Sequence, residues 1–358
     1  MKSNTTERKK RDKYDNSEIS TLSLTTQQAK LLDNFSKLIT TSGGPQSENA
    51  QPLAAHAATE LKLHFDEDQR ALTQQYVNGE KSALIIEGLA NFDTTPPPIQ
   101  IAPIHELEQH PLVLYLGARN QILLKILDHR AFAYDIDNHG KLIRLVGNFK
   151  GGGKERLVDE PRKIEISSHS GLSLGPHTEA PYWCAAQAQD GHSPSPSALI
   201  LTAMWNPKHE PTNLIPLPQI LERIGATNTL CLASRNFNFT RSDSFNCGQG
   251  EDGTGVSIVE FDPHFGFTAR FNSYRFSVSE DAPALVKRAY GEFCRAVSAA
   301  APFQYSLSQD SAIVINNTRA LHCRDIVRDN RRLLVRVFGY SKFARAIAIN
   351  ENPLIVQG

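Results

Sequence analysis

The sequence predicts an α+β protein, a β-sandwich or barrel with helices in front of it and helical inserts within it. Three observations carry this. Apolar residues recur at helical spacing in residues 25–76, short β-branched and aromatic runs bounded by turn residues fill the remainder, and no repeat of solenoid period is present. The 358 residues leave room for one large elaborated domain or two small ones. Composition favours a polar, flexible arm over residues 1–24 and a single domain over 25–358, with 25–80 helical and 81–345 a β-rich core. Its 38 basic and 38 acidic side chains cancel and form no basic stripe, which argues against a nucleic-acid partner. No apolar run approaches the roughly 20 residues of a membrane helix. Five scattered cysteines without a Cys-x-x-Cys pair argue against a disulfide framework or a structural zinc knuckle. With no apolar leader in the first twenty residues, a soluble cytoplasmic protein is expected, its oligomeric state open.

In chain order, Leu31, Leu32, Phe35, Leu38 and Ile39 lie on one stripe and predict a helix over 25–39. A second helix is expected from Pro52 to Tyr76, ending before Asn78-Gly79. Ser82 to Leu89 reads as a buried strand, and Thr94 to Pro98 as a rigid loop. Leu112 to Leu116 and Phe132 to Ile136 read as strands with a helix at Gln121 to Leu127 between them. Turn chemistry at Asp137 to Gly140 followed by Leu142 to Val146 predicts a hairpin. Further strands are expected near 164–167, 198–205, 229–233, 256–261, 268–271, 312–315 and 333–338. Helices are expected at 217–224 and 281–299, the latter with Leu285, Ala289, Phe293 and Val297 on one face and Asp281 as cap.

Several motifs fail on context. Gly248-x-Gly250-x-x-Gly253 matches the dinucleotide fingerprint, but polar sequence precedes it and a strand rather than a helix follows. Gly151 to Lys154 lacks the first glycine of a phosphate loop, at Asn148, and has Glu155 where a magnesium-binding hydroxyl belongs. There is no Gly-x-Ser-x-Gly elbow and no His-Glu-x-x-His pair.

His177-Thr178-Glu179 is different. On an extended segment, side chains two residues apart point the same way, so the imidazole and the carboxylate converge. A second histidine would complete the two-His, one-carboxylate set that suits non-haem Fe(II), and equally a catalytic zinc. His322 is the candidate, in a stretch that runs from a β-branched strand through Asn316-Asn317 to Arg319 and Arg324. Fourteen residues past His322 stands Arg336, between apolar neighbours, with Leu334, Arg336 and Phe338 on one strand face. A guanidinium so placed needs a partner, and its fork fits a carboxylate.

These blocks resemble the clavaminate synthase-like branch of the taurine dioxygenase superfamily of Fe(II)/2-oxoglutarate-dependent oxygenases, over roughly residues 80–345. The resemblance implies a double-stranded β-helix, or distorted jelly roll. It implies His177, Glu179 and His322 as iron ligands, Arg336 on the distal carboxylate of 2-oxoglutarate, and O2 as second co-substrate. A threonine joins that carboxylate in the family; Thr212, ahead of the 217–224 helix, fits best and Thr202 is the runner-up. The implied reaction hydroxylates an unactivated C–H of an amino acid or derivative while 2-oxoglutarate goes to succinate and CO2. Glu179 favours hydroxylation, since related halogenases have Gly or Ala there. Several members grip the substrate carboxylate with a second arginine four residues after the first; counted from Arg336 that position is Tyr340, a departure for which Arg270 or Arg275 are substitutes. The loop 236–255 is a candidate lid. A zinc hydrolase with the same ligands and a non-catalytic jelly-roll binding protein are the competing readings.

Overall fold

A computed structural model describes residues 18–90, 96–149, 168–180, 182, 187–241 and 252–358. The strand expected at 164–167, the glycines at 151–153 and residues 242–251 of the candidate lid lie outside these. The described residues form a mixed α+β architecture with one large sheet.

The helical layer comes first. Thr25 and Gln28 form a capping box that starts α1 (Thr26–Thr41), and Asp66 with Gln69 repeats it for α3 (Glu67–Val77). Gln28 and Gln69 also bond to each other at 2.8 Å, locking the two helix starts together. The single helix expected over 52–76 is therefore two, α2 (Ala50–Leu63) and α3, because the Asp66 cap opens a new helix. After a short α4 (Ile104–Leu107) comes α5 (Pro111–Ile126), buried nearly all round. The strand expected at 112–116 is its first half: an apolar run buried on every side has no period to separate helix from strand, and Pro111 at the first turn decides for helix.

The large sheet has nine strands. Its main path runs β1 (Ile19–Ser23), β2 (Ala83–Glu87), β14 (Ser311–Asn316), β6 (Ala198–Trp205), β16 (Leu333–Ser341), β3 (His129–Tyr134), β18 (Ile355–Val356) and β17 (Ala348–Asn350). Residues 19–23, expected in the arm, instead pair parallel with β2 and bury Ile19 and Leu22. The ninth strand, β4 (Ile143–Gly147), also pairs with β16. The expected hairpin does not form. β3 lies along Phe338 to Ser341 and β4 along Leu333 to Val337, so the two are one strand broken at 135–142. At the break Asn138, His139 and Gly140 all have positive φ, which throws Asp137 inward to near-complete burial.

A second sheet has four strands in the order β13 (Phe303–Tyr305), β7 (Thr212–Pro216), β15 (Ala320–Arg324) and β5 (Leu174–His177). Alternation along the large sheet divides the core. Leu199, Leu201, Ile313, Ile315, Leu334 and Phe338 join Leu214 and Leu321 of the second sheet in one apolar cluster. Ile200, Met204, Val314, Val335 and Val337 face α1, α2 and α5 in another. Each such side chain contributes about 1.5–3 kcal/mol by burial. Gly117 lets α5 seat closely, since a Cβ there would meet the Ile143 side chain at 2.2 Å.

The remaining chain packs outside these layers. α6 (Leu217–Leu232) absorbs the strand expected at 229–233, and α7 (Ala284–Ser298) starts after Pro283 rather than at Asp281. Small sheets are made by β8 (Phe237–Phe239), β9 (Gly253–Val256) and β12 (Phe276–Val278), and by β10 (Val259–Asp262) with β11 (Gly266–Ala269). Thus both described ends of the candidate lid are strands of one sheet. Among the described residues no helix is long and apolar enough to cross a membrane.

Candidate active site

β5 and β15 are neighbours in the second sheet, and their register places His177 directly opposite His322. Two positions 145 residues apart therefore meet because one antiparallel pairing demands it. The imidazole centroids are 4.2 Å apart, and Glu179 Oε1 lies 3.6 Å from His322 Nε2. One ligand atom from each of His177, Glu179 and His322 falls within 4.8 Å of the others, enough to hold a metal ion.

The local chain fixes these groups. His177 Nδ1 donates to the Gly175 carbonyl at 2.7 Å, which directs Nε2 to the cluster. The Thr178 amide donates to the Phe271 carbonyl at 2.8 Å, and Glu179 is held through its backbone by Asn317. Burial and the neighbouring His322 push His177 down to about 3, so it is neutral, the state in which imidazole ligates. Burial works to raise Glu179, but the Arg336 guanidinium and both imidazoles hold its carboxyl below the usual range. Two imidazoles and one carboxylate fit Fe(II) and leave positions for further ligands.

Arg336 is buried on the inward face of β16. It bonds to Glu179, lies 3.8 Å from Asp137 and sits 4.1 Å over the Phe338 ring. Asp137 in turn bonds to Arg144. The broken strand thus delivers a carboxylate and a second guanidinium to the same place, neither of which the sequence reading singled out. Phe132, Tyr134, Asp137, Arg144, Arg336 and Phe338 line one cleft.

The two threonines separate. Thr202 is on the helix-facing side of β6, where its hydroxyl donates to Asn120 Oδ1 of α5 at 2.7 Å, so it is a structural residue. Thr212 is on β7, two residues from Leu214, which pairs with His322. Its hydroxyl accepts from Arg332 Nη2 at 3.4 Å, and among the described residues no hydrogen bond joins it to Arg336. Arg332 is 1 % exposed, and its Nε and Nη1 have no hydrogen-bond partner among the described residues. Burial pushes its guanidinium down to about 10. No motif in the sequence marks it. Extending the alternation of Leu334, Arg336 and Phe338 back by two residues would have found it on the same face.

The other candidates are engaged elsewhere. Arg270 pairs with Glu260 at 2.8 Å, and Arg275 donates to the Arg241 carbonyl at 2.5 Å. Tyr340 stacks on Phe132 with ring centroids 3.6 Å apart, and its hydroxyl donates to the Pro194 carbonyl. Burial pushes the Cys323 thiol up to about 11, consistent with a packing role.

No protein-family model and no curated protein sequence matches the chain. Solved structures do match in fold. Asparagine oxygenase, crystallised with Fe(II), 2S,3S-3-hydroxyasparagine and succinate, superimposes with a TM-score of 0.72 at 13% identity, covering 94% of this chain and 99% of that one. A mutant of the non-heme iron oxygenase OrfP, in complex with (3S)-hydroxy-L-Arg, gives 0.71 at 18% identity with the same coverages. OrfP with Fe and alpha-ketoglutaric acid gives 0.65 at 18% identity, covering 89% and 93%. The fold of this chain is the one those oxygenases share.

Proposed function

We propose that the chain is an Fe(II)/2-oxoglutarate-dependent oxygenase that hydroxylates an amino acid or an amino-acid-derived small molecule. The observation that carries the proposal is the meeting of His177, Glu179 and His322 across one sheet pairing, beside two buried inward-facing arginines. On this reading the two sheets are the halves of a double-stranded β-helix, and residues 25–358 are one domain that also recruits the strand at 19–23. The likeness to oxygenases bound to amino-acid products supports the reading.

His177, Glu179 and His322 would hold the iron, which supplies oxygen activation coupled to loss of CO2 from 2-oxoglutarate. The protein's own part is to bind and orient. Arg332 and Thr212 are the better pair for the distal carboxylate, in place of Arg336. Arg332 has two buried nitrogens without a hydrogen-bond partner among the described residues, and its third donates to the Thr212 hydroxyl. Thr212 lies two residues along the strand from the partner of His322, about 7 Å at strand rise. An extended five-carbon diacid, with C–C bonds of about 1.5 Å, spans a comparable distance from a keto-acid end at the triad.

This assignment moves Arg336 four residues past the 2-oxoglutarate arginine, the place where the family resemblance puts the grip on the substrate carboxylate. The apparent departure at Tyr340 then disappears. Arg336 with Arg144 suits a carboxylate and Asp137 suits an ammonium, so the cleft between them matches the charged ends of an amino acid. Phe132, Tyr134 and Phe338 form its apolar wall.

The test is an aerobic assay with Fe(II), ascorbate and 2-oxoglutarate, screening amino acids for stimulated succinate formation. Succinate that depends on O2 and is lost in His177→Ala and His322→Ala is expected. An oxygen-independent activity with Zn(II) alone would replace the proposal with the hydrolase reading.

A further inference from the structure

Glu179 sits at a strained corner of the chain. The next residue, Ala180, is buried and has φ of +44°, a left-handed conformation that is unfavourable for a residue with a Cβ. Such a corner persists only where its surroundings determine it. The neighbouring contacts show what does so. Ser195 Oγ donates to the Ala180 carbonyl at 2.6 Å. Asn317, 1 % exposed, does more: its Oδ1 accepts from the Glu179 amide at 2.8 Å, and its Nδ2 donates to the Glu179 carbonyl at 3.1 Å. One side-chain amide thus satisfies both backbone groups of the same residue, as a neighbouring strand would. The second hydrogen of Nδ2 goes to the Pro196 carbonyl at 2.9 Å, and the Asn317 backbone amide to the Ser197 carbonyl at 3.0 Å.

The position of Asn317 gives this clamp its consequence. It lies in the turn from β14 to β15, five residues before His322. The turn itself is built by its neighbour: Asn316 Oδ1 accepts from the Thr318 amide at 3.2 Å and from the Thr318 hydroxyl at 2.8 Å. β5 and β15 already align His177 with His322, but Glu179 lies beyond the end of β5 and outside that ladder. Asn317 is the side chain that ties the Glu179 backbone to the strand carrying His322. We infer that Asn317 is a positioning residue for the metal site, fixing where the Glu179 carboxylate stands relative to the two imidazoles. Asp, Ser or Ala could not replace it fully, because only a primary amide accepts from one backbone group while donating to two others.

The inference rests on reading His177, Glu179 and His322 as a metal site, and its test keeps the two apart. Apoprotein is titrated with Co(II), followed by visible absorption, for the full chain and for Asn317→Ala and Asn316→Ala, each checked for folding by circular dichroism at low temperature. Asn316 holds the same turn without touching Glu179, so it reports what damage to the turn alone does. Asn317→Ala is expected to lower Co(II) affinity by about 10–100-fold, the usual effect of removing an outer-shell partner, while Asn316→Ala keeps it within about threefold. Asn317→Asp, nearly isosteric, retains an acceptor for the Glu179 amide and loses both donations; it carries the same expectation if the alanine variant does not fold. Wild-type protein that takes up no Co(II) would overturn the metal-site reading. Wild-type uptake with folded Asn317 variants binding equally well, or with Asn316→Ala equally weakened, would overturn the role of Asn317 alone.

Discussion

Arg332 and Arg336 stand on one face of the same segment, four residues apart, both almost completely buried, and the protein treats them differently. Arg336 has Glu179 on one side, Asp137 at 3.8 Å on another and the Phe338 ring beneath it. Arg332 has one long hydrogen bond, to Thr212 at 3.4 Å, and two nitrogens with no partner among the described residues. A buried charge needs compensation. For Arg336 the polypeptide supplies it, so a ligand there must exchange with groups already in place. For Arg332 the described residues supply the charge of Glu210 but no hydrogen bond to Nε or Nη1, and on the proposed function a carboxylate that fits its fork completes the compensation. On the proposed function, the contrast separates a site for the 2-oxoglutarate dianion from one for the amino-acid substrate.

The comparison breaks first at Arg336. Arg336→Gln should raise KM for the preferred amino-acid substrate by about a hundredfold, within the 2–5 kcal/mol range for losing one partner of a buried charge pair, and leave KM for 2-oxoglutarate within about threefold. Equal losses for both would make Arg336 structural. A smaller effect sharpens the other side. Thr212→Val should weaken 2-oxoglutarate by about tenfold, the scale of one hydrogen bond to a charged group. Thr202→Val, which unpairs Asn120 in the helix interface, should lower the urea midpoint and leave that KM unchanged.

The smallest effect sets the pH range in which these comparisons are clean. Burial pushes His129 down to about 4. Between pH 6.5 and 4 the unfolded chain therefore binds a proton that the folded chain refuses, and stability falls as pH falls. The contribution from this residue is about 1 kcal/mol over the unit below pH 6.5, and His129→Gln should flatten the slope of unfolding free energy against pH by that amount. An unchanged slope would show that His129 protonates in the folded protein.

The candidate metal cluster was legible in the sequence because its geometry is local in each half: a period-two His-x-Glu, and a strand–turn–strand block around Asn316-Asn317 and His322. What brings the halves together, the pairing of His177 with His322, is a sheet register that no local pattern records. The two arginines are hard to rank from sequence for a related reason. Arg332 and Arg336 share strand parity, so alternation cannot rank them, and counting residues from His322 depends on the length of the loop at 325–332. The apolar run at 112–116 misread as a strand because α5 is buried on all sides and shows no amphipathic face. The broken strand at 135–142 had the turn residues of a hairpin, but both its arms pair with β16, a strand nearly two hundred residues away.

The proposed division of labour between the two arginines is tested most directly by anaerobic calorimetric titration of Fe(II)-loaded protein with 2-oxoglutarate. The expected result is binding within about threefold of wild type for Arg336→Gln and at least about a hundredfold weaker for Arg332→Gln, from loss of a buried charge-assisted contact. Weakened binding in Arg336→Gln with Arg332→Gln unaffected would contradict it and return the distal carboxylate to Arg336.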